Sequence, residues 1–267
     1  MTQPTIRSSD AATSSCFASR LKRYAQLNSD ETQFVARMEE TERTVSKNTT
    51  LLDAQSTTDE LFVLKEGWAV EFSAVGSDRR QAVRVYLPGE VIGLSGFGVS
   101  KSPNSIVMAT PGVVCPFPKA HMTAIFDKAP RLAALFAGIA ALDQVAMMDR
   151  LALMGAGDAR ERMAYFLIDL HERLLITNPD LGRRYRLPLR QVDIGQVLGL
   201  TKVYVNRLLK SFVEEGLIEV QRPYIRMLKP DVLKSMAGYQ HRSHKIDQSW
   251  FPTAERYSVN SVAKVPA

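Results

Sequence analysis

The sequence predicts an α+β fold in which a β-roll, a long helix and a winged helix-turn-helix follow one another along the chain. Three observations predict it. Between Arg43 and Phe117, short apolar runs alternate with turn residues, which is the pattern of many short strands in a roll or small barrel. From about Pro118 the apolar spacing changes to a helical period. The stretch Leu189 to Ile218, LRQVDIGQVLGLTKVYVNRLLKSFVEEGLI, then has the spacing of two helices joined by a tight turn. At 267 residues the chain has room for two domains. The expected divisions are a flexible N-terminus over 1–17, a β-roll over 18–130, a long helix and hinge over 131–157, a winged helix over 158–239, and a flexible tail over 240–267.

Each element has a local reason. Residues 18–40 predict one or two short helices anchored by Leu21, Tyr24, Leu27, Phe34, Val35 and Met38. LFVLKEGWAVEFSAV predicts a strand on each side of Glu66-Gly67, Gly76-Ser77-Asp78 a turn, and QAVRVYLP an alternating strand. PGEVIGL and SIVMATPGVVCPFP continue the series. Leu132, Leu135, Ile139, Leu142 and Ala146 then recur in alternating steps of three and four, a heptad seam narrow enough to suit a second copy of itself. That seam is the expected homodimer interface, with Phe136, Val145, Met148 and Leu151 broadening the stripe and one flank packed on the β-domain; the alternative is a long helix buried within one chain. The helix should break near Gly155-Ala156-Gly157, and Asp158 to Glu161 predicts a capping box for the next helix.

Within the helix-turn-helix, Gly195 falls where the helices cross and Gly199 in the turn, where a left-handed conformation favours glycine. Ile194, Leu198, Val205 and Leu208 should form the small core, Thr201 should cap the second helix and Gly216 should end it. Lys202, Tyr204, Asn206, Arg207 and Lys210 are left on the outward face. LIEV and YIRMLK, around Gln221-Arg222-Pro223, predict a two-stranded wing, and 231–237 a last helical turn or two. A second helix with such a face suits the major groove of duplex DNA. Charge supports this. Residues 183–239 hold 11 Lys and Arg against 5 Asp and Glu, whereas residues 1–182 hold 19 against 21. Residues 240–267 add 4 against 2, and a basic excess confined to the helix-turn-helix region and the tail after it is the footprint of a surface that neutralises phosphates.

Composition narrows the alternatives. No apolar run is read as long enough to span a bilayer, and the N-terminus has no signal-peptide core, so a cytoplasmic protein without a membrane partner is expected. Cys16 and Cys115 are the only cysteines, too few for a disulfide framework, and no metal-ligand spacing is present. No nucleophile–base pair or paired carboxylates converge, so the chain is not expected to be an enzyme. A second reading keeps the sensor but has the winged helix contact a protein partner; the basic face argues against it.

The run from about residue 20 to 237 resembles the catabolite activator/fumarate-nitrate regulator (Crp/Fnr) superfamily of bacterial transcription factors. The residues that carry the resemblance are LFVLKEGWAVEF, YLPGEVIGLSGFG, ARERMAYFLIDL and the helix-turn-helix string. It implies a cyclic-nucleotide-binding-like sensor, a dimerisation helix and two winged helices on a palindromic operator. It also implies RNA polymerase as a partner if the protein activates. Cyclic-AMP-responsive members carry P-G-[DE]-x-[IF]-G-E-L and, about ten residues on, Arg-Ser. Here Gly93 keeps its place, Leu94 stands in place of the glutamate, and Asn104-Ser105 stands in place of Arg-Ser. Asparagine has no charge for a phosphate and leucine cannot hold a ribose, which should cost roughly 2–5 kcal/mol of affinity. Cyclic AMP is therefore not expected as the effector. Two cysteines do not suffice for the iron–sulfur branch. Cys115 and His121 are the candidates for a haem axial ligand, Cys16 is a redox candidate, and the cofactor stays unknown.

The resemblance also assigns roles on the second helix. Arg207 falls on the family's arginine and should bond a guanine bidentately. Val203 replaces a glutamate that accepts from cytosine, so the operator should differ from the usual TGTGA or TTGAT half-sites. Asn206 suits an adenine edge or a phosphate, while Lys202, Lys210 and Arg190 suit phosphates.

Overall fold

The computed structural model describes residues 15–57, 59–76, 79–240 and 246–252. The expected frayed N-terminus lies almost wholly outside them, as do Ser77 and Asp78 of the expected turn. Two short helices come first, α1 (Cys16–Tyr24) and α2 (Ser29–Met38). Asn28 starts α2 with a capping box, accepting from the Glu31 amide at 2.8 Å while Glu31 accepts from its own.

Among the described residues eight strands build the roll: β1 (Arg43–Val45), β2 (Thr50–Leu52), β3 (Glu60–Glu66), β4 (Ala69–Val75), β5 (Arg79–Tyr86), β6 (Val91–Ile92), β7 (Ser105–Met108) and β8 (Gly112–Pro118). They pair antiparallel as two four-stranded sheets, ordered β1-β8-β3-β6 and β2-β7-β4-β5. Strand alternation distributes the apolar side chains between layers. Phe62 and Leu64 of β3 join Ala69, Tyr86, Ile106 and Val114 between the sheets. Leu61 and Val63, their alternates, pack outward on α1, α2 and the helices that follow.

Those helices are α3 (Ala120–Lys128), α4 (Pro130–Ala156) and α5 (Ala159–Thr177). By length and composition α4 could cross a membrane, which the sequence reading did not anticipate. In this fold, however, its N-terminal half is core. Leu132, Leu135, Phe136 and Ile139 are buried with Phe17, Leu21 and Met122 of the same chain. The expected interface therefore needs correction. Leu132, Leu135 and Ile139 are covered by their own domain, and Leu142 and Ala146 are half-buried. The exposed stripe lies one helical step away, at Ala137, Ala141, Gln144, Met148 and Leu151, which repeat in steps of four and three. Leu151 is 71% exposed.

The helix breaks at Gly157, and Asp158 caps α5 by accepting from the Arg160 and Glu161 amides at 2.7 and 2.8 Å. The winged helix follows as β9 (Arg184–Arg186), α6 (Gln191–Leu198), α7 (Lys202–Glu214), β10 (Ile218–Gln221), β11 (Tyr224–Met227) and α8 (Pro230–Met236). The wing is not two strands alone: β9 pairs with β11, with Arg186 opposite Tyr224 and Arg184 opposite Arg226. The expected flexible tail is not free throughout. Ile246 and Phe251 are buried on the sensor core, and Gln248 donates to the Tyr24 carbonyl at 2.8 Å.

Candidate nucleic-acid interface and effector pocket

Backbone constraints set the angle between α6 and α7. Gly199 sits in the turn at φ 64°, a left-handed conformation that a side chain would strain. At Gly195 an added Cβ would lie 2.5 Å from the Leu200 carbonyl oxygen, so only glycine lets the turn close over α6. Thr201 caps α7 through its hydroxyl, which accepts from the Tyr204 amide at 3.2 Å. At the other end, Leu217 N–H donates to Phe212 O and Gly216 N–H to Val213 O, closing the helix in a Schellman arrangement. Ile194, Leu198, Val205, Leu208 and Phe212 are buried between the helices.

This packing turns Lys202, Val203, Tyr204, Arg207 and Lys210 outward. Lys202, Arg207 and Lys210 form no ion pair among the described residues, and the Arg207 guanidinium lies 6.0 Å from the Tyr204 ring centre. Asn206 is half-buried, and its side-chain oxygen accepts from Gln191 at 3.1 Å, leaving its NH2 and one lone pair for a ligand. Arg190 is placed differently. Its Nε and Nη2 bond the two Asp193 oxygens, both at 2.8 Å, as part of the α6 cap, so its charge is largely offset locally. Arg184 and Arg186 on the wing sheet and Arg222 in the turn between β10 and β11, which the sequence reading did not assign to DNA, are exposed. Arg184 stacks over Tyr224 at 4.1 Å. The string Arg183 to Arg186 showed the charge, but its place beside the wing follows only from the β9–β11 register.

The β-roll site is built around a residue that sequence reasoning missed. Glu71, on β4, is 3% exposed. Its Oε2 accepts from the Tyr86 hydroxyl at 2.8 Å, and its Oε1 from Asn104 Nδ2 at 2.7 Å and the Ser95 hydroxyl at 3.1 Å. Gly93, at φ 98°, precedes the short 3-10 turn over Leu94–Gly96, and the half-buried Leu94 packs toward the helical layer. The Ser105 hydroxyl accepts from the Ala54 amide at 3.1 Å. Of the candidate pocket residues, Asn104 and Ser105 are thus engaged within the chain. Cys115 is buried, and burial pushes its thiol up to about 12. Cys16 begins α1 half-buried, its thiol also raised by burial and by Glu39, which suppresses the thiolate that redox chemistry needs.

Sensor, long helix and winged helix are joined by polar contacts and a shared core. Glu90 is 2% exposed and receives Arg173 at 2.8 Å, with Arg20 at 3.4 Å and Arg84 at 3.8 Å. Burial alone would raise its pKa, but the three guanidinium groups hold it down to about 2. Arg84 also reaches Asp143 of α4 at 2.7 Å. Val70, Phe72 and Val85 pack in one cluster with Phe166 and Leu167 of α5 and with Ile194 and Leu198 of α6. Gln81 of β5 donates to the Gln196 carbonyl, and Arg162 of α5 to the Leu198 carbonyl at 3.1 Å.

Comparison with known proteins agrees with this division. A family profile described as a cyclic nucleotide-binding domain matches residues 42–129, and one described as a Crp-like helix-turn-helix domain matches 161–236. The fumarate and nitrate reduction regulatory protein of Escherichia coli K12 is 25% identical over 224 residues, covering 84% of this chain and 89% of that protein. The same protein from Salmonella typhimurium matches to the same extent. Among solved structures, FixK2 from Bradyrhizobium japonicum superposes with a TM-score of 0.67 at 22% identity, covering 75% of this chain and 98% of that one. A CooA mutant from Carboxydothermus hydrogenoformans gives 0.58 at 17% identity, over 86% and 98%.

Proposed function

Because the chain belongs to the Crp/Fnr family of transcription regulators, we propose that it binds a palindromic operator as a homodimer in the cytoplasm, and that cyclic AMP is not its effector. Members of this family bind DNA and act as dimers. The observation that carries the reading is the outer face of α7, where Lys202, Arg207 and Lys210 stand exposed and without carboxylate partners among the described residues. Cations left unpaired on a rigidly capped helix are available to phosphates and base edges. Arg207 is the candidate for guanine, Asn206 for an adenine edge, and Lys202, Lys210 and the wing arginines for phosphates. Arg190, already held by Asp193, contributes less.

The exposed stripe Ala137, Ala141, Gln144, Met148 and Leu151 supports the dimer, since it offers an unpartnered heptad seam along α4. Against cyclic AMP stands the Glu71 carboxylate, which would repel a phosphate and already holds Asn104. The reading is tested by capturing genomic fragments on the purified protein and sequencing those enriched. A palindrome with half-sites about 34 Å apart is expected. Salt-sensitive enrichment without any motif would count against sequence-specific binding by the effector-free protein.

A further inference from the structure

The carboxylate of Glu71 is held in the manner of a bound anion. It lies inside the roll, and its three donors come from three separate segments: Tyr86 at the end of β5, Ser95 in the 3-10 turn, and Asn104 just before β7. A buried carboxylate is costly unless its oxygens are met by donors, and here both oxygens are met. Two of these donors, Ser95 and Asn104, close the segment 94–105 over β4. The site does not end there. The Arg84 guanidinium lies 4.6 Å from the Tyr86 ring centre and bonds Asp143 of α4 and, more distantly, Glu90 beneath α5. Glu71 is therefore linked, through one tyrosine and one arginine, to the helix that carries the exposed stripe.

We propose that Glu71 is an internal ligand of the β-roll: its side-chain carboxylate takes the place of a soluble anionic effector and holds the roll, with α4, in the DNA-binding arrangement. Replacing Glu71 by alanine removes a group the size of acetate, so the emptied site is specific for a small carboxylate. Regulation by a soluble nucleotide is then unnecessary, and the uncharged Asn104 is suited to a carboxylate that belongs to the chain. The idea rests on the DNA-binding reading for its functional consequence, but not for the occupancy of the site.

The test compares the full-length protein with Glu71→Ala and Glu71→Gln, measuring thermal stability and affinity for an enriched genomic fragment. Sodium acetate is compared with sodium chloride at equal ionic strength, and cyclic AMP and cyclic GMP are added separately. Wild-type affinity should be the same in the two salts at equal ionic strength and unchanged by either cyclic nucleotide. Glu71→Ala should lose about tenfold or more in DNA affinity, the scale of one charge-assisted hydrogen bond. Acetate, but not chloride, should restore part of that affinity and raise the melting temperature of this variant alone. If Glu71→Ala does not fold, Glu71→Gln keeps the shape and should show a smaller loss of affinity. Undiminished affinity in the folded variant, or wild-type binding that rises with a cyclic nucleotide, overturns the proposal. A folded Glu71→Ala protein that ignores acetate overturns it as well. Wild-type protein that binds no DNA defeats the functional reading instead, while acetate-dependent stabilisation of Glu71→Ala still decides the occupancy of the site.

Discussion

The interior of the β-roll and the outer face of α7 are both rich in polar groups, and they differ in where those groups point. In the roll, Glu71, Tyr86, Ser95 and Asn104 bond one another, and Glu90 gathers three arginines. On α7, Lys202, Arg207 and Lys210 face outward with no ion pair among the described residues. A polar group satisfied within the chain contributes to folding, and one left open is available to a partner. Charge removal in the first region should therefore act on the fold, and on DNA only through the arrangement of the roll and α4, whereas in the second it should act on DNA directly.

The largest effect is expected at Glu90. Glu90→Gln leaves Arg20, Arg84 and Arg173 without their shared counter-ion, and breaking such a buried pair costs about 3–5 kcal/mol. Urea unfolding should show this as a lower midpoint with an unchanged slope. The pH dependence has a definite sign. The folded pKa of about 2 lies below the unfolded value of about 4.3, so the Glu90 contribution is complete above the unfolded value. It is lost as the pH falls from there through about 2. Wild-type stability should drop across that window more steeply than that of Glu90→Gln. Parallel curves would mean that the cluster does not stabilise the fold, and the contrast between the two regions would fail at its strongest point.

A second test concerns which stripe of α4 is open. Leu151→Glu places a charge on the exposed stripe without disturbing the core, so the monomer should keep its melting behaviour within about 0.5 kcal/mol. If that stripe is the dimer seam, burying the new charge in the interface should cost roughly 2 kcal/mol or more of association. Light scattering over a dilution series would show a monomer at concentrations where wild type is a dimer. A variant that dimerises like wild type would remove the stripe from the interface.

That Leu132, Leu135 and Ile139 of the expected seam lie in the chain's own core shows what the sequence could express. The helix-turn-helix was legible because its determinants are local: Gly195, Gly199, Thr201 and the four apolar contacts lie within fifteen residues of one another. The α4 stripe was not, because Leu132, Leu135 and Ile139 have the same periodicity whether they face a second copy or their own roll. Only the placement of α1, α3 and residues 246–252 decides between them. Glu71 was hidden for a related reason. Strand alternation marks a polar residue as outward, but Ala69 to Phe72 are buried on both faces of β4, so alternation carries no sign there. In the same way, the basic string at 183–186 was visible, but its partner strand was not.

The finest distinction lies within the open face itself, between cations that select sequence and cations that supply affinity. Arg207→Ala should lower operator affinity by about 1–3 kcal/mol and relax the preference at one base pair, with folding unaffected. Lys210→Ala should instead weaken all sequences alike and reduce the slope of log affinity against log salt by about 0.9. The two variants thus differ less in size than in kind, which is why binding must be measured over several salt concentrations and on a set of single-base operator variants. If Arg207→Ala changed only the salt slope, the arginine would be a phosphate contact held beside Tyr204. Sequence choice would then have to come from Asn206, Val203 or the shape of the duplex. If Lys210→Ala altered base preference, the readout would extend a turn further along α7 than its exposed N-terminal end, and the recognition helix would have to lie deeper in the groove.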